Sequence, residues 1–262
     1  AAVRLGTKRQ QGKPLLPHEV ILNLIVEKLV RNKVRDRLGG QLKFFISGGA
    51  ALNPEIGNFF MALGINLLQG YGQTEASPLI SANRPGRIKI ETVGPVVSGV
   101  DMKIADDGEI LVRGANVMQG YLNQPEETAK TLSSDGWLRT GDLGYLDQDG
   151  YVFVSGRIKE LIIKGGENIA PREIDEALLE HEAVLEAAAF AVPCENYGER
   201  VEACIRLKEQ VHASAPDLLT HCQTRLGKFK SPDKIHVVED LPKGPSGKVQ
   251  RLKLFGLVYP AK

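Results

Sequence analysis

The amino-acid sequence lacks the features that mark several broad classes of protein. It contains no run of about 18 apolar residues, the length that a membrane-spanning helix requires, so we expect no transmembrane segment. Neither sign of charge dominates, because 33 Lys and Arg stand against 32 Asp and Glu. A net charge of +1 provides no general attraction for nucleic acid, and we expect no nucleic-acid partner.

Cysteine is also scarce in the 262 residues. Cys194, Cys204 and Cys222 are an odd number at irregular spacing with no CxxC pair, a pattern that indicates reduced thiols rather than a disulfide or zinc framework. Residues 1–11 are basic and contain no apolar segment of a secretory signal. We therefore expect a cytoplasmic protein, with a peripheral membrane association left open. The first residue is not Met, which allows the chain to be a piece of a longer one.

The first part of the chain predicts an α/β arrangement. Apolar residues at three-to-four spacing predict a helix over residues 17–38. An apolar run at 42–46 is followed by Asn53-Pro54, a helix N-cap with Pro at the first helical position. A second apolar run at 65–69 completes a parallel βαβ unit. Its strands end at two glycine-rich loops that we expect at one edge of the sheet.

Two further textures follow the α/β piece of residues 41–90. Short β-like runs at 92–97, 100–105, 109–113 and 150–155 predict a small antiparallel β-barrel over residues 91–156. From Arg157 the pattern becomes α+β. We expect helices at 171–181 and 216–226, with strands at 186–192, 201–207 and 235–238.

Two loops carry the first candidate binding residues. Side chains shrink to almost nothing from Ser47 to Ala51, so backbone can approach a flat ligand closely, although a tight turn without any ligand fits equally well. In the second loop, Tyr71 offers an aromatic face for a nucleobase. Thr74 and Glu75 offer oxygen ligands suited to a phosphate-bound Mg²⁺. Tyr71 in an ordinary core and Glu75 in solvent are the structural alternatives.

Three later segments could also carry chemistry. Asp142, expected in a turn, could accept two hydrogen bonds from a ribose diol or could cap its own turn. The charged residues from Arg157 to Glu160, followed by Gly165 and Gly166, could be a hinge or a plain linker. The Pro- and Gly-rich loop at 241–251 presents a Lys and an Arg that could neutralise oxygens at a reacting centre, a role that most exposed lysines do not have.

Taken in order, these strings resemble the adenylate-forming superfamily of acyl-CoA synthetases, luciferases and peptide-synthetase adenylation domains. The resemblance covers about residues 42–251. It rests on four motifs in family order: YGQTE at 71–75, TGD at 140–142, GRIKELIIKGGENIAPREID at 156–175 and PKGPSGKVQR at 242–251. The combination is much more specific than any one of the motifs.

The resemblance implies a role for each matching residue. The adenine pocket would be lined by Gly48, Gly49, Ala50 and Tyr71, with Gln69, Gly70 and Gly72 of the same loop. Thr74 would lie on the phosphate side, Glu75 would bind Mg²⁺, and Asp142 and Arg157 would lie at the ribose. Lys159 would be the hinge and Lys248 the catalytic lysine, with Gly165 and Gly166 at the channel for the pantetheine arm of CoA.

The mechanism implied by the resemblance uses ATP, Mg²⁺ and CoA in two steps. A carboxylate forms an acyl-AMP, and a thiol then takes the acyl group while the small C-terminal domain rotates about the hinge. The strings FFISGGAALN and GEILVRGANVMQGY look most like long-chain fatty acid CoA ligases. The alternatives are an aryl or medium-chain CoA ligase, a domain that loads a carrier protein, and a truncated module that binds nucleotide or a partner without catalysis.

The resemblance also implies that the chain is incomplete. The family's phosphate loop lies upstream of the Gly48 segment, and nothing before residue 42 resembles it. We expect residues 1–158 to be the end of a large AMP-binding domain and residues 159–262 to be a small mobile domain. The missing N-terminal part of the same protein would be a required partner, so that the chain alone is inactive. A homodimer is left open.

Overall fold

The computed structural model describes residues 1–10, 12–50, 52–245 and 247–260. Two residues of the motifs above, Ala51 and Ser246, lie outside the described residues. The chain forms two compact units. The first comprises Ala1–Ala105, Leu111–Thr140 and Tyr145–Val154, and the second comprises Asp106–Ile110, Gly141–Gly144 and Ser155–Lys262.

The first unit begins with helices. Helix α1 (Ala2–Gln10), which the sequence analysis did not predict, precedes α2 (Pro17–Val26). A π-helical segment, Glu27–Arg31, leads from α2 into α3 (Asn32–Arg37), so the predicted helix over 17–38 is present with an irregular centre. Helix α1 packs closely on the helix that follows the first strand, because a Cβ on Gly6 would lie 2.2 Å from the carbonyl oxygen of Ala62.

The predicted parallel βαβ unit is present. It consists of β1 (Phe45–Ser47), α4 (Pro54–Ala62) and β2 (Leu67–Tyr71), and β1 and β2 pair in parallel. Strand β3 (Ser81–Ala82) adds to β2 in antiparallel orientation. The Asn53 side chain accepts a hydrogen bond from the backbone N–H of Glu55 at 2.8 Å, which caps α4 as the Asn-Pro pair predicts.

The apolar stripes of these helices face outward. Ile21 and Leu24 on α2 are 63% and 65% exposed, whereas Arg31 is 2% exposed and donates hydrogen bonds to Ala62 and Asn23. We call six exposed apolar residues of the first unit the open face: Ile21, Leu24, Phe45, Ile46, Ile56 and Phe59. A groove of about 710 Å³ adjoins it, lined by Val34, Arg37, Leu38, Phe45, Ile46, Ser47, Gly48, Phe60, Ile65 and Leu67.

The β-rich region forms a four-stranded sheet. Its strands are β4 (Val100–Ile104), β5 (Glu109–Gly114), β6 (Leu138–Leu146) and β7 (Val152–Arg157), in the order β4-β5-β6-β7. Helix α5 (Pro125–Thr131) lies between β5 and β6 in the chain.

The strand predicted at 92–97 is wrong. This segment makes the isolated bridges Ser81–Val96 and Pro95–Tyr151 instead of a ladder. Thr92 directs its hydroxyl to the Lys89 carbonyl at 3.0 Å, which closes a turn and competes with strand pairing.

The second unit is α+β, as predicted. Its elements are β8 (Ile162–Lys164), β9 (Glu167–Ile169), α6 (Pro171–Leu179), β10 (Val184–Cys194), β11 (Gly198–Leu207), α7 (Ala215–Lys230), β12 (Lys234–Val237) and α8 (Leu254–Val258). The sheet order is β10-β11-β8-β9, and β12 pairs with β11 in parallel.

A closed core lies between this sheet and the two long helices. The buried cluster comprises Ile162, Ile169, Ile174, Leu178, Val184, Ala189, Val201, Ala203, Ile205, Leu218, Cys222 and Ile235. The three cysteines are free thiols, and burial raises the pKa of Cys204 and of Cys222 to about 11. Among the helices that the structure describes, none is long and apolar enough to cross a membrane.

Candidate functional site

Two glycine loops lie side by side at one edge of the sheet in the first unit. Because β1 and β2 pair in parallel with Ser47 opposite Gln69, the residues that follow them emerge together. A Cβ on Gly48 would lie 3.3 Å from the carbonyl oxygen of Gly70, which leaves little room for larger side chains. The structure thus brings together the two loops that the sequence analysis singled out.

The loop residues divide by what their side chains do. Gly49 (φ +81°) and Ala50 are exposed at the loop surface. Position 72 accepts only glycine, because a Cβ there would lie 1.8 Å from the carbonyl oxygen of Pro78. The Gln69 amide is buried and donates to the backbone carbonyl of Ile90, so its side chain serves the fold. Tyr71, at the end of β2, is half-buried.

A short 3₁₀ turn, Thr74–Ala76, follows the second loop and carries Glu75. Thr74 is exposed, and Glu75 is half-buried. The Tyr121 hydroxyl donates to Oε1 of Glu75 at 2.8 Å, and the backbone N–H of Met118 donates to the Glu75 carbonyl at 2.8 Å. The hydrogen bond to Glu75, together with burial, raises the pKa of the Tyr121 phenol. The carboxylate of Glu75 is therefore held in a defined orientation.

Glu75 and Thr74 suit a magnesium ion that is bound largely through phosphate. Mg²⁺ sites commonly combine one or two carboxylates with substrate phosphates and water. Within the described ranges, no group of three or more His, Cys, Asp or Glu side chains could hold a metal unaided. The oriented carboxylate and the neighbouring hydroxyl fit such an ion only when a phosphate supplies further ligands.

In the second unit, Asp142 and Arg157 form an ion pair. Asp142 is 4% exposed, and its Oδ1 lies 2.8 Å from Nε of Arg157, which is about half exposed. Asp142 was expected in a turn, and that expectation is wrong because it lies inside β6. Gly141 has a φ of +71° and its N–H donates to Oε1 of Glu109 at 2.9 Å. A glycine that adopts this φ lets the strand continue through the motif.

Lys248 lies in the same electrostatic neighbourhood as this pair. Its loop closes on itself through a hydrogen bond of 2.8 Å from the Gly244 N–H to the Lys248 carbonyl. Burial lowers the pKa of the half-buried Lys248 ammonium and the Arg157 charge lowers it further, while Glu160 and Asp142 act in the opposite direction. Asp142, Arg157 and Lys248, singled out at three separate places in the sequence, thus belong to one cluster of charges.

The remaining predicted residues lie elsewhere in the second unit. Lys159 is exposed in the 3₁₀ turn Ile158–Glu160, which we call the hinge turn. Gly165 and Gly166, with φ of +60° and +86°, form the two-residue turn between β8 and β9, as a tight hairpin requires. The Gly165 N–H donates to the Tyr197 carbonyl at 2.9 Å.

The sequence analysis gave one residue near these groups no role and placed another wrongly. Tyr121 ends the segment GEILVRGANVMQGY but received no role there. Arg251 was expected to be presented to solvent, and that expectation is wrong. Its side chain is 14% exposed and lies 2.6 Å from Oδ2 of Asp175. Both residues belong to strings that carried the family resemblance, which is the signal that could have found them.

Two protein-family models match the parts of the chain that carry these residues. Residues 19–122 match the family model described as AMP-binding enzyme, and residues 173–248 match the model of the AMP-binding enzyme C-terminal domain. These ranges contain both glycine loops, Glu75, Tyr121 and Lys248.

Several curated proteins with similar sequences are named CoA ligases. The chain is 48% identical over 226 residues to a sulfoacetate–CoA ligase of Cupriavidus necator, covering 82% of this chain and 44% of that enzyme. It is 41% identical to a long-chain-fatty-acid–CoA ligase of Bacillus subtilis, covering 82% and 40%. The crystal structure of ATP-bound MatB from Rhodopseudomonas palustris superposes with a TM-score of 0.80 at 33% identity, covering 85% and 47%. The chain therefore spans less than half the length of these relatives.

Proposed function

Because the chain belongs to the AMP-binding enzyme family, we propose that the full-length protein is an acyl-CoA synthetase, an acid–thiol ligase that uses ATP. In the first step, a carboxylate oxygen of the acid attacks the α-phosphorus of ATP, and the bond to pyrophosphate breaks to leave an acyl-AMP. In the second step, the sulfur of CoA attacks the acyl carbon. The bond to AMP breaks, and the thiol proton is released.

The observation that carries the proposal is the grouping of Lys248 with the Asp142–Arg157 ion pair. Asp142 and Arg157 are 2.8 Å apart, and the charges of both act on the Lys248 ammonium. A carboxylate can accept hydrogen bonds from both hydroxyls of a ribose, which suits Asp142, with Arg157 beside it. A lysine a short distance away can then neutralise oxygens of the reacting carboxylate and α-phosphate. We propose Lys248 as the catalytic residue of the first step.

The two glycine loops of the first unit supply the proposed nucleotide pocket. The adenine would lie against exposed backbone at Gly48, Gly49 and Ala50 and against the ring of Tyr71, beside Gly70 and Gly72. Thr74 would contact a phosphate. Magnesium bound to ATP neutralises phosphate charge, and the Glu75 carboxylate, oriented by Tyr121, is the group that would hold it.

The second step uses a different part of the second unit. We propose that the turn at Gly165 and Gly166 lies beside the pantetheine arm, since neither residue has a side chain that would obstruct a narrow thiol. Lys159 in the hinge turn would allow the small domain to change its orientation between the steps. The catalytic lysine would serve one step and the glycine turn the other.

Two classes of acid are candidates for the substrate. A long-chain fatty acid is supported by the motifs FFISGGAALN and GEILVRGANVMQGY and by 41% identity to a fatty-acid ligase. A small anionic acid is supported by 48% identity to a ligase whose name specifies sulfoacetate. Much of the sequence that would shape an acyl pocket lies in the parts of the relatives that this chain does not match.

The rest of a longer protein is the proposed cover for the open face. The chain spans 44% of the length of its sulfoacetate ligase relative, and Ile46, the middle residue of β1, is 72% exposed. A second copy of the chain is the alternative cover. Sedimentation of the full-length protein distinguishes these two covers, because a monomeric full-length protein would exclude a second copy.

The proposed function is tested by ATP–pyrophosphate exchange with the full-length protein. The acids in the panel are a long-chain fatty acid, a medium-chain fatty acid, an aryl acid and sulfoacetate. We expect exchange that depends on one of these acids, followed by thioester formation with free CoA. Transfer to a carrier protein but not to CoA would identify a carrier-loading domain. Tight AMP binding by calorimetry with no exchange for any acid would instead support a non-catalytic nucleotide-binding module.

A further inference from the structure

Arg251 follows Lys248 by three residues in the sequence. Its side chain contacts three separate elements of the second unit. Its guanidinium lies 2.6 Å from Oδ2 of Asp175 on α6 and 3.2 Å from Oε2 of Glu160 in the hinge turn. It also donates to the backbone carbonyl of Ala189 on β10. With its side chain 14% exposed, Arg251 is one of the most enclosed cations of the unit.

The contacts on the far side of Arg251 are themselves fixed. Asp175 accepts a hydrogen bond from the Ala189 N–H at 2.6 Å, so helix α6, strand β10 and Arg251 share one carboxylate. Burial raises the pKa of the Asp175 carboxyl, and the Arg251 charge opposes that rise. Asp175 and Ala189 therefore anchor Arg251 to the body of the domain.

The contact with Glu160 extends this anchor to the hinge turn. Glu160 directly follows Lys159, the proposed hinge, and it is half-buried. The Arg251–Glu160 ion pair thus fastens the first residue beyond the hinge to the segment that carries Lys248.

We propose that Arg251 is a positioning residue that couples the hinge turn to Lys248 through Glu160. The role given to Lys248 rests on the proposed function, whereas the coupling between Arg251, Glu160 and the Lys248 loop does not. A planar guanidinium reaches both carboxylates and the carbonyl at once, which a lysine ammonium does not. Positioning predicts a selective effect on the step that uses Lys248.

The test compares variants of the full-length protein in two half-reactions. Glu160→Gln removes the negative charge from the hinge contact, and with it a charge that acts on Lys248, while leaving the Asp175 pair in place. Arg251→Lys keeps the positive charge but loses the two-pronged guanidinium. The control is Glu180→Gln, which alters an exposed ion pair with Arg225 in the same domain. We expect Glu160→Gln to lower acid-dependent pyrophosphate exchange by about tenfold and Arg251→Lys by about 10²-fold. Thioester formation from supplied acyl-AMP should change less than about twofold, since a positioning effect confined to the first step leaves the second intact.

A second readout follows Lys248 itself. Reductive methylation measured by mass spectrometry should modify Lys248 several times faster in Arg251→Lys, which keeps the local charges, than in the wild type, relative to exposed Lys253. Faster labelling of Lys248 in the variant, combined with no exchange activity in the wild type, would support the coupling and refute the proposed function. If the wild type shows exchange, unchanged Lys248 labelling in Arg251→Lys together with unchanged exchange in Glu160→Gln would refute the coupling. Equal losses in both half-reactions, accompanied by a lower melting temperature, would also refute it, since they indicate a structural role alone.

Discussion

The two compact units differ in how far their apolar side chains are buried. In the second unit, the sheet and helices α6 and α7 enclose one cluster whose members are almost fully buried. In the first unit, the apolar stripes of α2 and α4 and the edge strand β1 point outward, while Arg31 is buried. The second unit thus encloses its apolar cluster within its own elements, whereas the first unit leaves apolar side chains exposed, which is the basis of the proposed cover for the open face.

The contrast also separates the two groups of proposed site residues. The glycine loops and Glu75 are attached to the unit with the open face. Lys248 and the Asp142–Arg157 pair belong to the unit with the closed core. The proposed hinge, Lys159, follows Asp142 and Arg157 in the chain and precedes Lys248, so a rotation there would move Lys248 relative to that pair. Such a movement fits the proposal that Lys248 serves only one of two steps.

The largest expected difference is in independent folding. Residues 155–262 expressed alone should unfold cooperatively with a free energy of about 5 kcal/mol or more, because the buried cluster lies entirely within them. Residues 1–154 alone should bind a hydrophobic dye strongly, because the open face has no cover. Denaturant titration and dye fluorescence measure both. A non-cooperative 155–262 fragment would contradict the comparison.

Breaking the buried ion pair should have the next largest effect. Asp175→Ala leaves the enclosed Arg251 without its main partner and should lower the free energy of unfolding of the second unit by about 3–5 kcal/mol. The control, Glu180→Ala, changes an exposed pair and should lower it by less than about 1 kcal/mol. Equal small effects would show that the pair is not enclosed as described.

A charge on the open face should act only where the face is covered. Ile46→Lys should change the unfolding free energy of this chain by less than about 0.5 kcal/mol and that of the full-length protein by about 1–3 kcal/mol. Ile163→Lys, at an exposed position of the second unit, is the control and should have little effect in either protein. Similar stability of full-length Ile46→Lys and its wild type would mean that the face is not covered.

The smallest expected effect is on acid stability. Burial raises the pKa of Glu202, but hydrogen bonds from His236, Tyr259 and Arg200 outweigh it and hold the pKa below the ordinary 4.5. Glu202 therefore contributes stability above pH 4.5 that is lost as the pH falls through its folded pKa. Glu202→Gln should therefore reduce the loss of stability of the second unit as the pH falls below 4.5, whereas exposed Glu182→Gln should not. Parallel pH profiles for Glu202→Gln and the wild type would argue against this role.

Local sequence signals predicted the elements that local physics determines. The Asn53-Pro54 cap predicted α4, and glycines at strand ends predicted two loops at one sheet edge. The strand predicted at 92–97 is absent because the Thr92 hydroxyl donates to the Lys89 carbonyl and closes a turn. An apolar run in the sequence does not show that such a hydrogen bond competes with strand pairing. Asp142 misled because Gly141 adopts a positive φ within a strand rather than in a turn.

Contacts between distant residues could not be predicted in the same way. Tyr121 and Glu75 are 46 residues apart, and Arg251 and Asp175 are 76 apart, so neither pair produces a local pattern. The exposure of the apolar residues on α2 could not be predicted from the sequence either. A periodic apolar stripe predicts that a helix has a partner, but it does not tell whether the partner belongs to the same chain.

The most direct test of the central claim is Lys248→Ala in the full-length protein, measured separately in the two half-reactions. The account predicts that acid-dependent ATP–pyrophosphate exchange falls by about 10²- to 10³-fold while thioester formation from supplied acyl-AMP and CoA continues at nearly the wild-type rate. Unchanged exchange in Lys248→Ala, at wild-type stability, would contradict the account.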